Sequence, residues 1–478
     1  MGQEIHDSRF CKHDFAQFSQ RLGEETDLLG QWFKDGHFSR KHAIAGFELE
    51  SWLVNEQIQP VADNEAFLAA LSDPMVTPEL SCFNVELNTP PLALQGKALS
   101  KIHTHLQQTW EQSEQVARSL GEHLLMTGIP ANLREEQLCL ANMSGMQRYR
   151  ALNEQVLRLR QGKPLILDIQ GEEHLHLSHQ DVMLESAATS FQLHLQVAEP
   201  HAVRFYNASL IAAAPVVAVS ANSPFAFGKD LWAETRIPLF EQAVDVGGYD
   251  GAASGPIKRV GFGNGYARHS LFELFEENLQ HYPLLLAESS ESAPAQMDHV
   301  RLHNGTIWRW NRPLIGFDED GTPHLRIEHR VIPAGPTHAD AIANAAFYYG
   351  LVQSLATAEE PPEARLEFAL ARDNFASAAR YGLHAHLHWM VEGYHQPITE
   401  LILQQLLPQA EQGLRELRLD NTDIDYYLGI IRQRVERGQN GSQWQRDFVH
   451  VHGRDWNGLM QAYYQRQREQ QPVHLWEI

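Results

Sequence analysis

The sequence predicts an α+β fold: one curved antiparallel sheet with helices on its outer face and an open cup on the other, followed by a helical C-terminal region. Three observations predict it. Four separated segments alternate apolar and polar residues with period two; stretches of helical period lie between them; and beyond about residue 365 the text turns helical. No repeat of roughly 20 to 50 residues is present, which removes solenoids and propellers.

The elements follow in order. Phe15, Phe18, Leu22, Leu28, Leu29, Trp32 and Phe33 recur at three- and four-residue spacings, giving one amphipathic helix or two short ones that cover a sheet. From about residue 40 to 90 the period shortens to two, and Leu99, Ile102, Leu106, Trp110 and Val116 restore a helical period to about residue 121. Residues 248–265 (GYDGAASGPIKRVGFGNG) concentrate glycine and read as a loop or lid of the catalytic unit. LILQQLLPQAEQGLRELRL and YYLGIIRQRVERG are amphipathic helices, with Pro408 as a break or kink. These boundaries give an N-terminal helical segment over 1–40, a catalytic domain over 41–364 and a helical extension over 365–478 within the same globular unit.

Composition narrows the function. The 478 residues carry 38 Lys plus Arg against 60 Asp plus Glu, a formal charge of -22, and nucleic-acid binding relies on basic phosphate contacts. No nucleic-acid partner is expected. The longest apolar run, residues 208–221, contains Pro215 and falls short of the ~20 residues of a spanning helix, so no membrane segment is expected. The opening MGQEIHDSRF has no basic and apolar leader, and His6 stands where a myristoylation signal places Ser or Thr. Only Cys11, Cys82 and Cys139 occur, with no redox or zinc spacing, which suits a reducing cytoplasm.

The four alternating segments carry functional residue types on their polar faces. Glu48 and Glu50 oppose Phe47 and Leu49. Residues 83–88 place Asn84, Glu86 and Asn88 together, with Glu79 preceding them. Residues 190–197 group Gln192, His194 and Gln196, and residues 325–331 group Arg326, Glu328 and Arg330, with His329 interrupting the apolar side. One sheet would collect Glu48, Glu50, Glu86, His194, Glu328 and Arg330 in its cup. Crowded carboxylates repel one another unless cations neutralise them, and Mg²⁺, or Mn²⁺, fits oxygen donors with a single imidazole. Four unrelated strands with solvated polar faces would give the same alternation.

The wording of these strands resembles the type 2 glutamate-cysteine ligase family, which includes bacterial carboxylate-amine ligases. The matching motifs, in order, are AGFELESWLV, PELSCFNVELNTPPL, MSGMQRYRAL, TSFQLHLQV, PVVAVSANSPFAFGKDLWAETR, and the stretch from WRWNRPLIGF to LRIEHRVIPAGPT. They span roughly residues 42 to 350. Gln192 stands where many carboxylate-amine ligases have the first residue of a His-x-His pair, and Leu49 where some carry a further Glu.

The resemblance implies a glutamine synthetase-like funnel that holds ATP, Mg²⁺ and an amino acid. It implies transfer of the γ-phosphoryl of ATP to the γ-carboxylate of glutamate, then attack by an amine, with cysteine favoured and glutathione biosynthesis the setting. By the same resemblance Glu48, Glu50, Glu86, His194 and Glu328 hold two to three ions, with Glu79 as an outer ligand. Arg330 complements the transferring group beside Glu328; Arg236, Thr89, Asn222 and Arg148 bind substrate; Gln192 and Arg326 contact nucleotide. Arg236 is equally consistent with an ion pair to Glu234.

Other constellations are weaker. His174, His176 and His179, and His384, His386 and His388, lack a partner in a recognised zinc spacing and read as polar surface. GFGNG lacks the Lys-Ser or Lys-Thr of a phosphate loop and reads as a mobile loop over the funnel; no Gly-x-Ser-x-Gly elbow is present; and Cys82 has nothing nearby to activate it. A ligase using another amine, a metal-dependent amide or phosphoester hydrolase, and a silent binding protein compete with the leading reading. The C-terminal helices suit packing on their own chain or a homodimer interface.

Overall fold

A computed structural model of the chain describes residues 4–6, 8–247, 258–288, 290–390 and 395–478. Most of the segment expected to form a lid, residues 248–257, lies outside them; within the remainder, Val260–Gly261 pairs with Trp308–Arg309.

The central sheet is built from the four alternating segments. Along its main path the strands run Asn311–Phe317, Pro323–His329, Phe191–Val197, Ile44–Asn55, Asn84–Asn88 and Val76–Pro78, and each of these neighbours is antiparallel. Glu122–Leu125 and Leu92–Ala93 also pair with Ile44–Asn55. Pro313, which has no N–H for a ladder, is tolerated because its strand lies at the sheet edge.

Register decides what meets on the cup face. Glu50 lies opposite Glu86, Glu48 lies between Asn88 and Gln192, and Glu328 lies between His194 and Arg312. The other face buries Phe47, Leu49, Phe191, Leu193, Leu325 and Ile327, with the Phe47 and Phe191 rings 4.9 Å apart. Each such side chain contributes about 1.5–3 kcal/mol by leaving water. His329, the interruption on that face, stacks on Tyr348 at 4.0 Å and bonds Asn311 Oδ1; burial pushes its ring down to about 3, so it stays neutral in the core.

Two apolar helices, Ala202–Ser220 and His338–Thr357, pack behind the sheet. Residues Glu199–Ser220 are long and apolar enough to cross a membrane, but 89% of their most apolar window is buried within the protein. Tyr349 reaches from the second helix to the sheet, its hydroxyl donating to the carbonyls of Gly46 (3.3 Å) and His194 (3.2 Å).

The N-terminal periodicity forms a single helix, Lys12–Asp35, closed by Gly36 in the left-handed conformation at φ 64°. Helix Ala98–Ser119 matches its expected span, whereas helix Asn64–Leu71 interrupts the stretch read as strand. The C-terminal helices interlock with the sheet layer. Tyr463 donates to Met126 O (2.9 Å) and accepts from Asn222, and Arg434 forms a buried ion pair with Asp340 at 2.8 Å. Pro408 follows a π-helical turn, Ile402–Leu406, whose widened backbone accommodates the ring. Helix Leu407–Glu416 then crosses His338–Thr357 where Gly413 meets Gly350, so closely that a Cβ on either would collide with the other's backbone or its neighbours'.

Candidate active site

The cup face lines one cavity, which holds Glu48, Glu50, Glu79, Glu86, Gln192, His194, Arg326, Glu328 and Arg330 from the sheet and the chain entering it, with Arg148. All of these were candidate site residues. Alternation brings the strand residues together, because successive strand residues face opposite sides and the register aligns the polar sets, whereas Glu79 enters from the loop after Val76–Pro78 and Arg148 from helix Gln147–Leu159.

Two ligand clusters lie within the cavity. One ligand atom each from Glu48, His194 and Glu328 falls within 4.8 Å of the others, and the same holds for Glu50, Glu79 and Glu86. In the first, His194 Nε2 sits 3.1 Å from Glu48 Oε1, and its Nδ1 is buried without a partner among the described residues. Although burial alone would raise Glu328, Arg312 and Arg330 hold its carboxyl well below the usual range.

The second cluster is under-compensated. Burial and the charge of Glu48 push Glu86 up to about 8; burial and Glu86 push Glu50 to about 7; burial and Glu50 push Glu79 to about 7. Hydrogen bonds from Asn88 (2.9 Å) and Thr77 (3.2 Å) to Glu86, and from Gln192 (2.8 Å) and Ser190 N (2.5 Å) to Glu50, hold the carboxylates in place.

Arg330 Nη1 donates to Glu328 Oε2 at 3.0 Å and to Gln192 Oε1. Its Nε, like that of Arg326, is buried without an acceptor among the described residues, leaving donors suited to anionic oxygen. Arg148 lies over the Tyr149 ring at 4.5 Å and donates to its hydroxyl at 2.5 Å.

Three expected substrate contacts do not line this cavity. Arg236 is 3% exposed; its Nε pairs with Glu234 at 3.1 Å, and its Nη2 donates to Arg330 O (3.2 Å) and Val331 O (2.5 Å), fixing the backbone next to Arg330. The ion-pair alternative describes its geometry. Asn222 is buried between Ala334 O and Tyr463, and Thr89 accepts from Phe47 N at 2.9 Å. Both clamp backbone rather than face the cup.

Sequence reasoning missed Arg312 and Glu185. Arg312 grips both oxygens of Glu328, and Glu185 enters from the 3₁₀ turn Val182–Ala187, where burial and the charge of Glu50 push it to about 8. Arg312 lies in the quoted WRWNRPLIGF stretch and was visible there; Glu185 has no periodic context. Near the Asn311–Phe317 edge the cavity turns apolar, with Phe275, Leu286, Leu302, Leu314 and Ile315. Cys82 is half-buried and unpaired, with burial raising its thiol, in keeping with a packing role.

The sequence profile of glutamate-cysteine ligase family 2 matches residues 44–469. The chain belongs to glutamate-cysteine ligase family 2. As a family member it is an ATP-dependent carboxylate-amine ligase that forms an amide bond, which displaces the hydrolase and silent-binding alternatives. The match runs through the C-terminal helices. The structure is similar to the glutamate-cysteine ligase of Francisella tularensis solved in complex with AMP, with TM-score 0.53 and 13% identity over 92% of this chain and 91% of that one. A bifunctional glutathione synthetase from Pasteurella multocida matches with TM-score 0.44 and 13% identity over 93% of this chain and 55% of that one. At that identity the Francisella likeness speaks for the fold alone, with its antiparallel sheet and surrounding helices. No curated protein sequence matches the family member described here.

Proposed function

We propose that the protein joins the γ-carboxylate of L-glutamate to an amine, with L-cysteine favoured, through an acyl phosphate made with ATP. The observation that carries this reading is the pair of ligand clusters, Glu48–His194–Glu328 and Glu50–Glu79–Glu86, in one cavity beside Arg330. Phosphoryl transfer asks for cations and positioning more than for a nucleophilic side chain.

The donor sets fit Mg²⁺ or Mn²⁺: carboxylate oxygens with one imidazole, and an acidic cluster whose proton affinities are raised by burial and by neighbouring carboxylates. Bound there, such ions supply neutralisation of phosphate charge. The chain's own residues do the rest. The apolar wall at the sheet edge seats the base of the nucleotide, and Arg326, Gln192 and Arg330 hold its phosphates. Arg312 keeps Glu328 ionised, and Arg236 fixes the backbone from which Arg330 projects. Arg148 takes the α-carboxylate of the amino acid. The γ-phosphoryl passes to the substrate carboxylate as ADP leaves; the amine nitrogen then attacks the carbonyl carbon, phosphate leaves, and Glu185, with a proton affinity near 8, accepts the amine proton. The three unpaired cysteines suit work in the reducing cytoplasm.

The test is ADP release by purified protein with ATP, Mg²⁺ and L-glutamate, with and without L-cysteine and then a panel of amines, with product masses recorded. Cysteine-dependent release with a γ-glutamylcysteine mass supports the reading. Turnover with a different amine alone moves the substrate but keeps the mechanism, and no ATP consumption with any pair overturns it.

A further inference from the structure

The hairpin of strands Leu165–Gln170 and His174–His179 stands outside the catalytic sheet and buries only one of its faces. Leu165, Leu167, Ile169 and Leu175 point inward, while Asp168, His174 and His176 are exposed. The register sets Asp168 directly opposite His176, and His174 lies two residues away on that same outer face. Asp168 Oδ1 is 2.7 Å from His174 Nε2, and Oδ2 is 3.4 Å from His176 Nδ1. One ligand atom from each of the three lies within 4.8 Å of the other two.

We propose that Asp168, His174 and His176 form a surface site for a divalent transition-metal ion of the zinc class, separate from the acidic cavity. The donor chemistry distinguishes the two. Two imidazoles and one carboxylate suit Zn²⁺, whereas the carboxylate-dominated cavity, with a single imidazole, suits Mg²⁺ or Mn²⁺. Zinc holds such ligands at about 2.0–2.2 Å, which places tetrahedral donor atoms about 3.3 Å apart. The observed contacts, 2.7 Å from Oδ1 to His174 and 3.4 Å from Oδ2 to His176, with one ligand atom of each residue inside 4.8 Å of the other two, lie close enough to that value for rotations of the exposed side chains to bring one donor set together. Three protein ligands leave a fourth position for water.

The hairpin makes the site rigid at the backbone, since Asp168 N also donates to Gln242 Oε1 at 2.7 Å on the adjoining helix Arg236–Ala243. The histidines were expected to be plain polar surface because no partner stood near them in sequence; the cross-strand register supplies Asp168.

The site is tested by equilibrium dialysis of the full chain against Zn²⁺ in millimolar Mg²⁺, which keeps oxygen sites filled, comparing wild type with H174A/H176A. Wild type should bind one more Zn²⁺ per chain than the double variant, and D168N should weaken that ion by at least about tenfold, since even loss of an outer partner costs about 10- to 100-fold. With Co²⁺ in place of Zn²⁺, visible absorption from imidazole ligation should be present in wild type and reduced in the double variant. Matching circular dichroism establishes that the variants fold. Equal zinc stoichiometry in wild type and double variant overturns the site.

Discussion

Arg312 holds Glu328 from directly across the sheet edge, its Nε donating to Oε2 at 2.8 Å and its Nη2 to Oε1 at 3.0 Å. Glu328 is thereby kept ionised inside the cavity, and its role toward a cation depends on a residue that need not touch the cation. Removing the fork leaves a buried carboxylate with Arg330 as its remaining arginine partner. R312A should lower stability by ~2–3 kcal/mol, below the ~3–5 kcal/mol of a fully orphaned buried charge, measured by urea denaturation. An unchanged midpoint would show that water replaces the fork at no cost.

Arg330 faces the reacting end of the nucleotide in the proposed arrangement. R330A should reduce turnover by roughly 10³-fold or more, as for other phosphate-clamping arginines, with the protein still folded. Turnover within a few-fold of wild type would place the transferring group elsewhere.

Arg236 should behave differently. R236K retains charge but loses the planar fork that holds Arg330 O and Val331 O. We expect a lower kcat with the KM for glutamate within about twofold, because uniform substrate binding is untouched. A glutamate KM raised tenfold with kcat intact would instead put Arg236 on the substrate.

The acidic cluster makes stability fall as pH rises. Glu50, Glu79, Glu86 and Glu185 bind protons up to about 7 to 8 in the folded chain, above the unfolded value near 4.5. Between those limits the folded state holds more protons than the unfolded one, so this stabilisation is complete below about pH 4.5 and is lost as pH climbs through 7 to 8. Melting temperature without added cation should therefore drop between pH 6 and 8.5, and Mg²⁺ should raise it more at pH 8.5 than at pH 6. A cation effect independent of pH would detach these groups from metal binding.

E185Q removes the proton-accepting carboxyl while keeping size. It should slow the amine-dependent step by roughly 10²-fold or more, the range of a positioned general base, while amine-independent phosphoryl transfer to glutamate is preserved. Partial ADP formation lost to the same degree would move Glu185 out of the amine step.

The cup was legible because β alternation is strict: once Glu48, Glu86, His194 and Glu328 sit on the polar sides of four strands, only their register remains to be set. What stayed hidden depended on non-local geometry. Arg236 sits in a motif of the right wording, yet its guanidinium spends Nε on Glu234 and Nη2 on backbone carbonyls, a choice made by the fold around Val331. Glu185 rides on a single 3₁₀ turn with no period to reveal it. Asp168 joins His174 and His176 only through the turn length of a hairpin. Helix Asn64–Leu71 is too short for its period to stand out from the flanking strands.

The crossing of Gly350 and Gly413 carries a practical meaning for anyone wishing to trim this enzyme. Tyr349, next to Gly350, grips the carbonyls of Gly46 and His194, so the helix that receives Leu407–Glu416 also supports the strands bearing the ligands from behind. Truncation ahead of residue 407 would open that support to solvent and loosen the very strands that aim Glu48 and His194. A fragment of the first 364 residues should therefore lose activity; the distal helices are the keel on which the active face is set.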